Sequence, residues 1–156
     1  MFKVLLATDG SAFSLRAAEY VSSLFRNRAD VEVTVLYVEE ISPTLLSPTS
    51  AASLPPMPVP PTQVTDALVH IREQLESERN TILEATMERF VAFGQRATSR
   101  AALGKAADTI CDTAEKENFD LVVVGSSGKG RVTRALLGSV SYKVVHQAKV
   151  RVLIVR

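Results

Sequence analysis

The chain has 156 residues, 46% of them hydrophobic and 22% charged, with a net charge of +1. That length fits one domain with a core of its own, and the near-neutral balance gives no global basic field to attract nucleic acid or an anionic membrane. The single cysteine, Cys111, excludes an intrachain disulfide framework and fits a reducing compartment.

Val4 to Ala7 is a short apolar run ended by Asp9-Gly10-Ser11, which predicts a strand followed by a turn. The run is too short for a secretory signal core, and no stretch approaches the length that spans a bilayer, so cytoplasm is the expected location. From Ser14 to Phe25, the residues Ala17, Ala18, Val21, Leu24 and Phe25 share one stripe at helical spacing. Polar Asn27 to Asp30 break the pattern. Val31, Val33, Val35, Tyr37 and Val38 then make a second strand, rich in β-branched side chains.

Glu39 to Thr62 holds all seven prolines of the chain, five of them between Leu54 and Pro61. Proline lacks the backbone donor that a helix interior or central strand requires, so a long Pro-rich loop is expected at about 40–62. The spacings Pro55 to Pro58 and Pro58 to Pro61 admit a PxxP ligand, a solvated connection being the simpler reading. Thr65 to Phe93 contains neither proline nor glycine. Val64, Leu68, Ile71 and Leu75 keep one stripe, and Ile82, Leu83, Met87, Phe90 and Val91 continue it. The pattern predicts one long amphipathic helix ending near Gly94.

Arg96 to Leu103 alternates weakly and reads as a strand closed by Gly104. Ala106, Ala107, Ile110, Cys111 and Ala114 mark a helix ending near Asn118, with Cys111 on the apolar stripe as a small buried hydrophobe rather than a nucleophile. Leu121 to Val124 runs without alternation into Gly125, as suits a strand buried on both faces. After the glycine-rich stretch come a helix from about Ser139 to His146 and a last strand, Val150 to Val155. His146 reads as a helix-terminus residue, and with His70 the only other histidine no metal cluster is expected.

Strands alternating with helices predict an α/β fold with a five-stranded parallel sheet and helices on both faces. Such sheets bind ligands beyond the carboxyl ends of their strands, where the strand order reverses. If the first and fourth strands are central neighbours, that point lies between Asp9 and Gly125.

The stretch LVVVGSSGKGRVTRALLGSVS, Leu121 to Ser141, carries the chemistry. Gly125, Gly128 and Gly130 follow a strand, and a helical pattern leads on to Gly138-Ser139-Val140-Ser141. Glycines allow tight turns and bring backbone amides close to a ligand, and amides at a helix N-terminus favour phosphate. Gly125 and Gly128 are expected to leave room for the ligand against the backbone. The Walker A pattern fails because Arg131-Val132 follow Gly130 where lysine and a hydroxyl residue are needed. The dinucleotide fingerprint fails because Thr133 stands where its last glycine belongs. What remains is Gly125-x2-Gly128-x9-Gly138-Ser139.

That spacing resembles the ATP-binding motif of the universal stress protein family. The opening strand with Thr8-Asp9-Gly10-Ser11, the pair Ala17-Ala18, the run Asp120 to Ser126 and the ending Val152 to Val155 resemble the family as well. The family often carries Cys-Pro before the last strand, where this chain has Val150-Arg151, and residues 40 to 62 lie outside the resemblance. The resemblance implies a Rossmann-like fold of the adenine nucleotide alpha-hydrolase type. It also implies an ATP site that includes Ala7, Thr8 and Ser126. Asp9 would lie by the adenosine moiety or a phosphate-bound magnesium ion, and the Val38 backbone would contact adenine. Gly125 and Gly128 would pass close to ribose and phosphates. Gly138, Ser139, Val140 and Ser141 would hold phosphates by amides and hydroxyls. Lys129, Arg131 and Arg134 read equally as phosphate-screening cations or as a solvated basic loop. The resemblance further implies a homodimer paired through the apolar edge strand Val150 to Val155. Three functions compete: an ATP-binding stress-response regulator read by a protein partner, a slow ATPase or adenylyl-transfer enzyme, and a dimeric scaffold without nucleotide. The glycine spacing argues against the last, and the lack of a histidine or glutamate in the glycine stretch argues against the enzyme.

Overall fold

The structure, a computed structural model, describes residues 1–40, 61–92, 94, 96–128 and 137–156. The Pro-rich segment 41–60, the helical pattern after Gly130, and Lys129, Arg131 and Arg134 lie outside the described residues.

The described elements follow the order β1 (Phe2–Thr8), α1 (Ala12–Leu24), β2 (Val31–Glu39), α2 (Pro61–Val91), β3 (Ala97–Leu103), α3 (Ala106–Lys116), β4 (Leu121–Gly125), α4 (Ser139–Gln147) and β5 (Arg151–Val155). The strands form one parallel sheet in the order β3-β2-β1-β4-β5, with Leu6 opposite Val35 on one side and Val123 on the other. β1 and β4 are therefore central neighbours, and the strand order reverses between them.

Alternation along the central strands assigns the two faces. Val4, Leu6, Val33, Val35 and Val123 point to the side covered by α1 and α2, where they meet Ala17, Ala18, Val21 and Phe90. Leu5, Leu36, Val122 and Val124 point to the side of α3 and α4, against Ile110, Ala114 and Val144. The central strands β1 and β4 are buried on both faces, which is why β4 shows no polar alternation. Ala17 and Ala18 are fully buried, and their small side chains let α1 lie close on the sheet. Cys111 is partly buried against the second cluster, and burial with nearby Asp108 and Asp112 raises its thiol pKa, away from the reactive thiolate.

Two features of α2 add to the expectation of one long helix. The loop expected to run to Thr62 gives way to helix at Pro61, which tolerates proline because first-turn amides lack an intrahelical acceptor. The apolar stripe of α2 is also not buried throughout. Ile82, Thr86 and Phe90 are buried, whereas Ile71 and Leu75 are 37% and 38% exposed. The reason is length. A helix of 31 residues is about 46 Å long, while a seven-residue strand such as β1 covers about 23 Å, so the helix outruns the sheet it packs on.

Candidate functional site

A cleft of about 320 Å³ opens at the carboxyl ends of β1, β2 and β4. Its β2 and α3 side is apolar: Leu36, Val38, Ala106 and Ile110. Its β4 and α4 side adds Val124 and Gly125 at the end of β4 and the hydroxyls and backbone amides of Ser127, Gly128 and Gly138 to Ser141. Ala7, Thr8 and Asp9 at the end of β1 lie between, and Asp9 is the only ionisable side chain among the described lining residues.

Each part of this arrangement has a local cause. Gly10 adopts φ +76°, and a Cβ there would stand 2.8 Å from Ile82 Cγ1, so the turn after β1 needs glycine both for its conformation and for contact with α2. Ser11 caps α1 by accepting a hydrogen bond from the Ser14 amide at 3.2 Å, and its own amide donates to Asp9 Oδ1 at 3.0 Å. The Asp9 carboxylate is thereby oriented by the backbone of the helix that follows it. Beneath it, the buried Thr8 hydroxyl shares hydrogen bonds with Ser14 Oγ and Thr86 Oγ1, tying β1, α1 and α2 together.

On the other side, Gly138 is the N-cap of α4 and makes no side-chain cap. Its amide donates to Ser126 O at 2.8 Å, and its carbonyl accepts from the Tyr142 amide at 2.9 Å. The amides of Ser139, Val140 and Ser141 occupy the first turn, where helical geometry provides no acceptor. Three donors and the positive end of the helix dipole thus face the polar end of the cleft, with an exposed Ser139 at the rim.

The structure brings the sequence-derived residues together with one exception. Ala7, Thr8, Asp9, Val38, Gly125, Gly128, Gly138, Ser139, Val140 and Ser141 line the cleft, whereas Ser126 does not. The Ser126 amide donates to Val155 O at 2.7 Å and its carbonyl accepts from Gly138, so it joins β4, β5 and α4 from below. The Ser141 hydroxyl is also engaged, donating to Gly125 O at 2.6 Å, which leaves its amide as the donor for a ligand.

The reason for the glycines differs from the expectation. A Cβ at position 125 would come within 2.7 Å of the Phe13 carbonyl carbon and 2.8 Å of the Ser14 nitrogen. Gly125 therefore makes room for the backbone of α1, not for a ligand. A Cβ at 128 would stand 2.7 Å from Asp9 Oδ2, and one at 138 would stand 3.2 Å from Ser127 Cα. These two glycines let the β4 loop close against Asp9 and against the start of α4.

The sequence did not assign Leu36, Ala106, Ile110, Val124 or Ser127 to the site. The two α3 residues had a usable signal, since the helix following an adjacent strand begins at the same end of the sheet. His146 is remote in role: its Nδ1 lies 2.8 Å from Tyr142 O and its ring lies 4.2 Å from that of Tyr142. His70 lies on α2 beside Glu73. Among the described residues no group of three potential metal ligands is present, and no helix is long and apolar enough to cross a membrane.

Comparison with known proteins agrees with this fold. The model of the universal stress protein family matches residues 1–156. Universal stress protein YxiE of Bacillus subtilis is 32% identical over 155 residues, covering 99% of this chain and 98% of that protein. Among solved structures, a universal stress protein family protein from Arabidopsis thaliana with AMP bound has a TM-score of 0.66 at 20% identity, covering 99% of this chain and 91% of that one. The universal stress protein from Archaeoglobus fulgidus in complex with dAMP has a TM-score of 0.67 at 15% identity, covering 100% and 98%. These two show the shared fold. The chain belongs to the universal stress protein family.

Proposed function

We propose that the protein binds an adenine nucleotide, ATP included, in the cleft at the β1–β4 switch point, and that it acts as a stress-response regulator whose nucleotide state a protein partner reads. The observation that carries this reading is the uncapped N-terminus of α4 opening on the polar end of a cleft whose other end is apolar. A flat base on Leu36, Val38 and Ile110 and a phosphate on the α4 amides would use both ends. The relatives solved with AMP and dAMP support the choice of adenine nucleotide.

The donor set fits a magnesium complex of ATP. That metal keeps most of its waters and its phosphate ligands and needs only one or two protein carboxylates, a part Asp9 could take. Amides that hold phosphate alike in the ground and transition states do not speed hydrolysis. This favours a bound, slowly turned-over nucleotide over an enzyme. Titration calorimetry with magnesium and ATP, ADP or AMP is expected to give a Kd of order micromolar, about −8 kcal/mol. No heat from any of the three would end the nucleotide reading.

A second copy of the chain is the expected partner of β5. The strand lies at the sheet edge, and Val152 to Val155 are only half-buried. An apolar edge with free backbone groups invites pairing, and a two-fold axis would set the strand against its own copy. Sedimentation at micromolar concentration is expected to show a dimer, and Val152→Lys with Ile154→Lys to yield folded monomer. A wild-type monomer, or a dimer indifferent to both lysines, would exclude this pairing.

A further inference from the structure

Ser127 is 4% exposed, lines the cleft, and holds the one buried hydroxyl among the described residues that lacks a hydrogen-bond partner. The surrounding hydroxyls do not share this state. Those of Thr8, Ser11, Ser14, Thr86 and Ser141 all have partners. An enclosed hydroxyl without a partner is costly, and in a binding cleft it calls for an acceptor that arrives with the ligand.

The backbone around Ser127 is tied down. Its carbonyl accepts from Ser11 Oγ at 3.4 Å. On one side Ser126 is bonded to Val155 and Gly138, and on the other Gly128 abuts the Asp9 carboxylate. Rotation about the Cα–Cβ bond is the freedom left to the side chain. Ser127 also stands at the start of α4, since a Cβ on Gly138 would lie 3.2 Å from Ser127 Cα. Ser127 and the three first-turn residues of α4 thus line the same end of the cleft.

We propose that Ser127 is a phosphate-reading residue, whose hydroxyl turns to donate a hydrogen bond to an anionic oxygen of the phosphate seated on the α4 amides. The proposal rests on the nucleotide reading of the cleft and adds a side-chain donor between the motif glycines Gly125 and Gly128. A phosphoryl oxygen suits the role because it is acceptor-only and charged, and charge-assisted hydrogen bonds are the stronger kind. The amides supply orientation, and the hydroxyl adds discrimination between a phosphorylated nucleoside and the bare nucleoside.

The test compares wild type with Ser127→Ala by calorimetry against magnesium-ATP, AMP and adenosine, with thermal melts of the ligand-free proteins. The variant is expected to bind ATP and AMP about five- to tenfold more weakly, as for one lost hydrogen bond. Adenosine is expected to bind as to wild type. The ligand-free melt is expected to be unchanged or higher, because an unpartnered hydroxyl has been removed. Equal affinity for ATP in the two proteins, an equal loss for adenosine, or a lowered ligand-free melt would each overturn the proposal. Wild type that binds none of the three would overturn the nucleotide reading and this inference with it, a result distinct from a silent Ser127→Ala.

Discussion

Gly125→Val is expected to abolish folding, and Gly125→Ala to lower the unfolding free energy by about 2–3 kcal/mol whether or not nucleotide is present. The atoms a Cβ would strike are backbone atoms of Phe13 and Ser14 at 2.7 and 2.8 Å. They belong to the first turn of α1, which the Ser11 cap and the Thr8–Ser14 hydrogen bond hold in place. A side chain can swing away from a clash, whereas a capped helix terminus on a closely packed sheet cannot. Gly128→Ala offers the contrast. Its Cβ would meet the tip of the Asp9 carboxylate at 2.7 Å, the outer end of a side chain and not backbone, so stability should fall less than for Gly125→Ala while nucleotide binding falls. Urea denaturation of both alanine variants, paired with calorimetry, separates the two roles. If Gly125→Ala proves as stable as wild type yet binds no nucleotide, the glycine serves the ligand after all.

That contrast shows what the sequence could and could not reveal. The positions of Gly125, Gly128 and Gly138 were legible because their spacing after a strand is unusual. Their reasons were not, because the atoms they accommodate belong to Phe13, Asp9 and Ser127, set there by tertiary packing. The five strands were legible for a simpler reason. Apolar runs of four to eight residues separated by helical periods have few alternative arrangements. Even β3, with its weak alternation, pairs over seven residues with β2. The burial of α2 was not legible in the same way. Periodicity names the apolar face of a helix but says nothing of how much sheet lies beneath it, and Ile71 and Leu75 fall beyond the sheet's end. Ser127 left no sequence signal, because being enclosed and unpartnered is a property of the packed cleft alone.

Ser139→Glu is expected to move stability and binding in opposite directions. Ser139 is the first residue of α4 and is exposed, and the first turn of that helix carries no acidic residue. A carboxylate there meets the positive end of the helix dipole and should raise stability by about 0.3–1 kcal/mol. The same carboxylate would stand where the phosphate is proposed to bind. Two like charges about 5 Å apart at an effective dielectric of 20 repel by about 3 kcal/mol, which corresponds to about a hundredfold loss of affinity. Solvent screening at the rim lowers this toward tenfold. Ser139→Gln matches the size without the charge and is expected to bind within a few-fold of wild type. Its amide proton on the backbone remains, and loss of the serine hydroxyl costs about 1 kcal/mol at most. The pair therefore isolates charge from shape. Thermal melts without ligand and calorimetry with ATP and AMP provide the two readouts. Magnesium in the buffer should recover part of the lost ATP affinity, because the metal screens the carboxylate from the phosphate. If Ser139→Glu binds both nucleotides as tightly as Ser139→Gln, the phosphate does not sit at the start of α4. The polar end of the cleft would then have to be occupied in some other way.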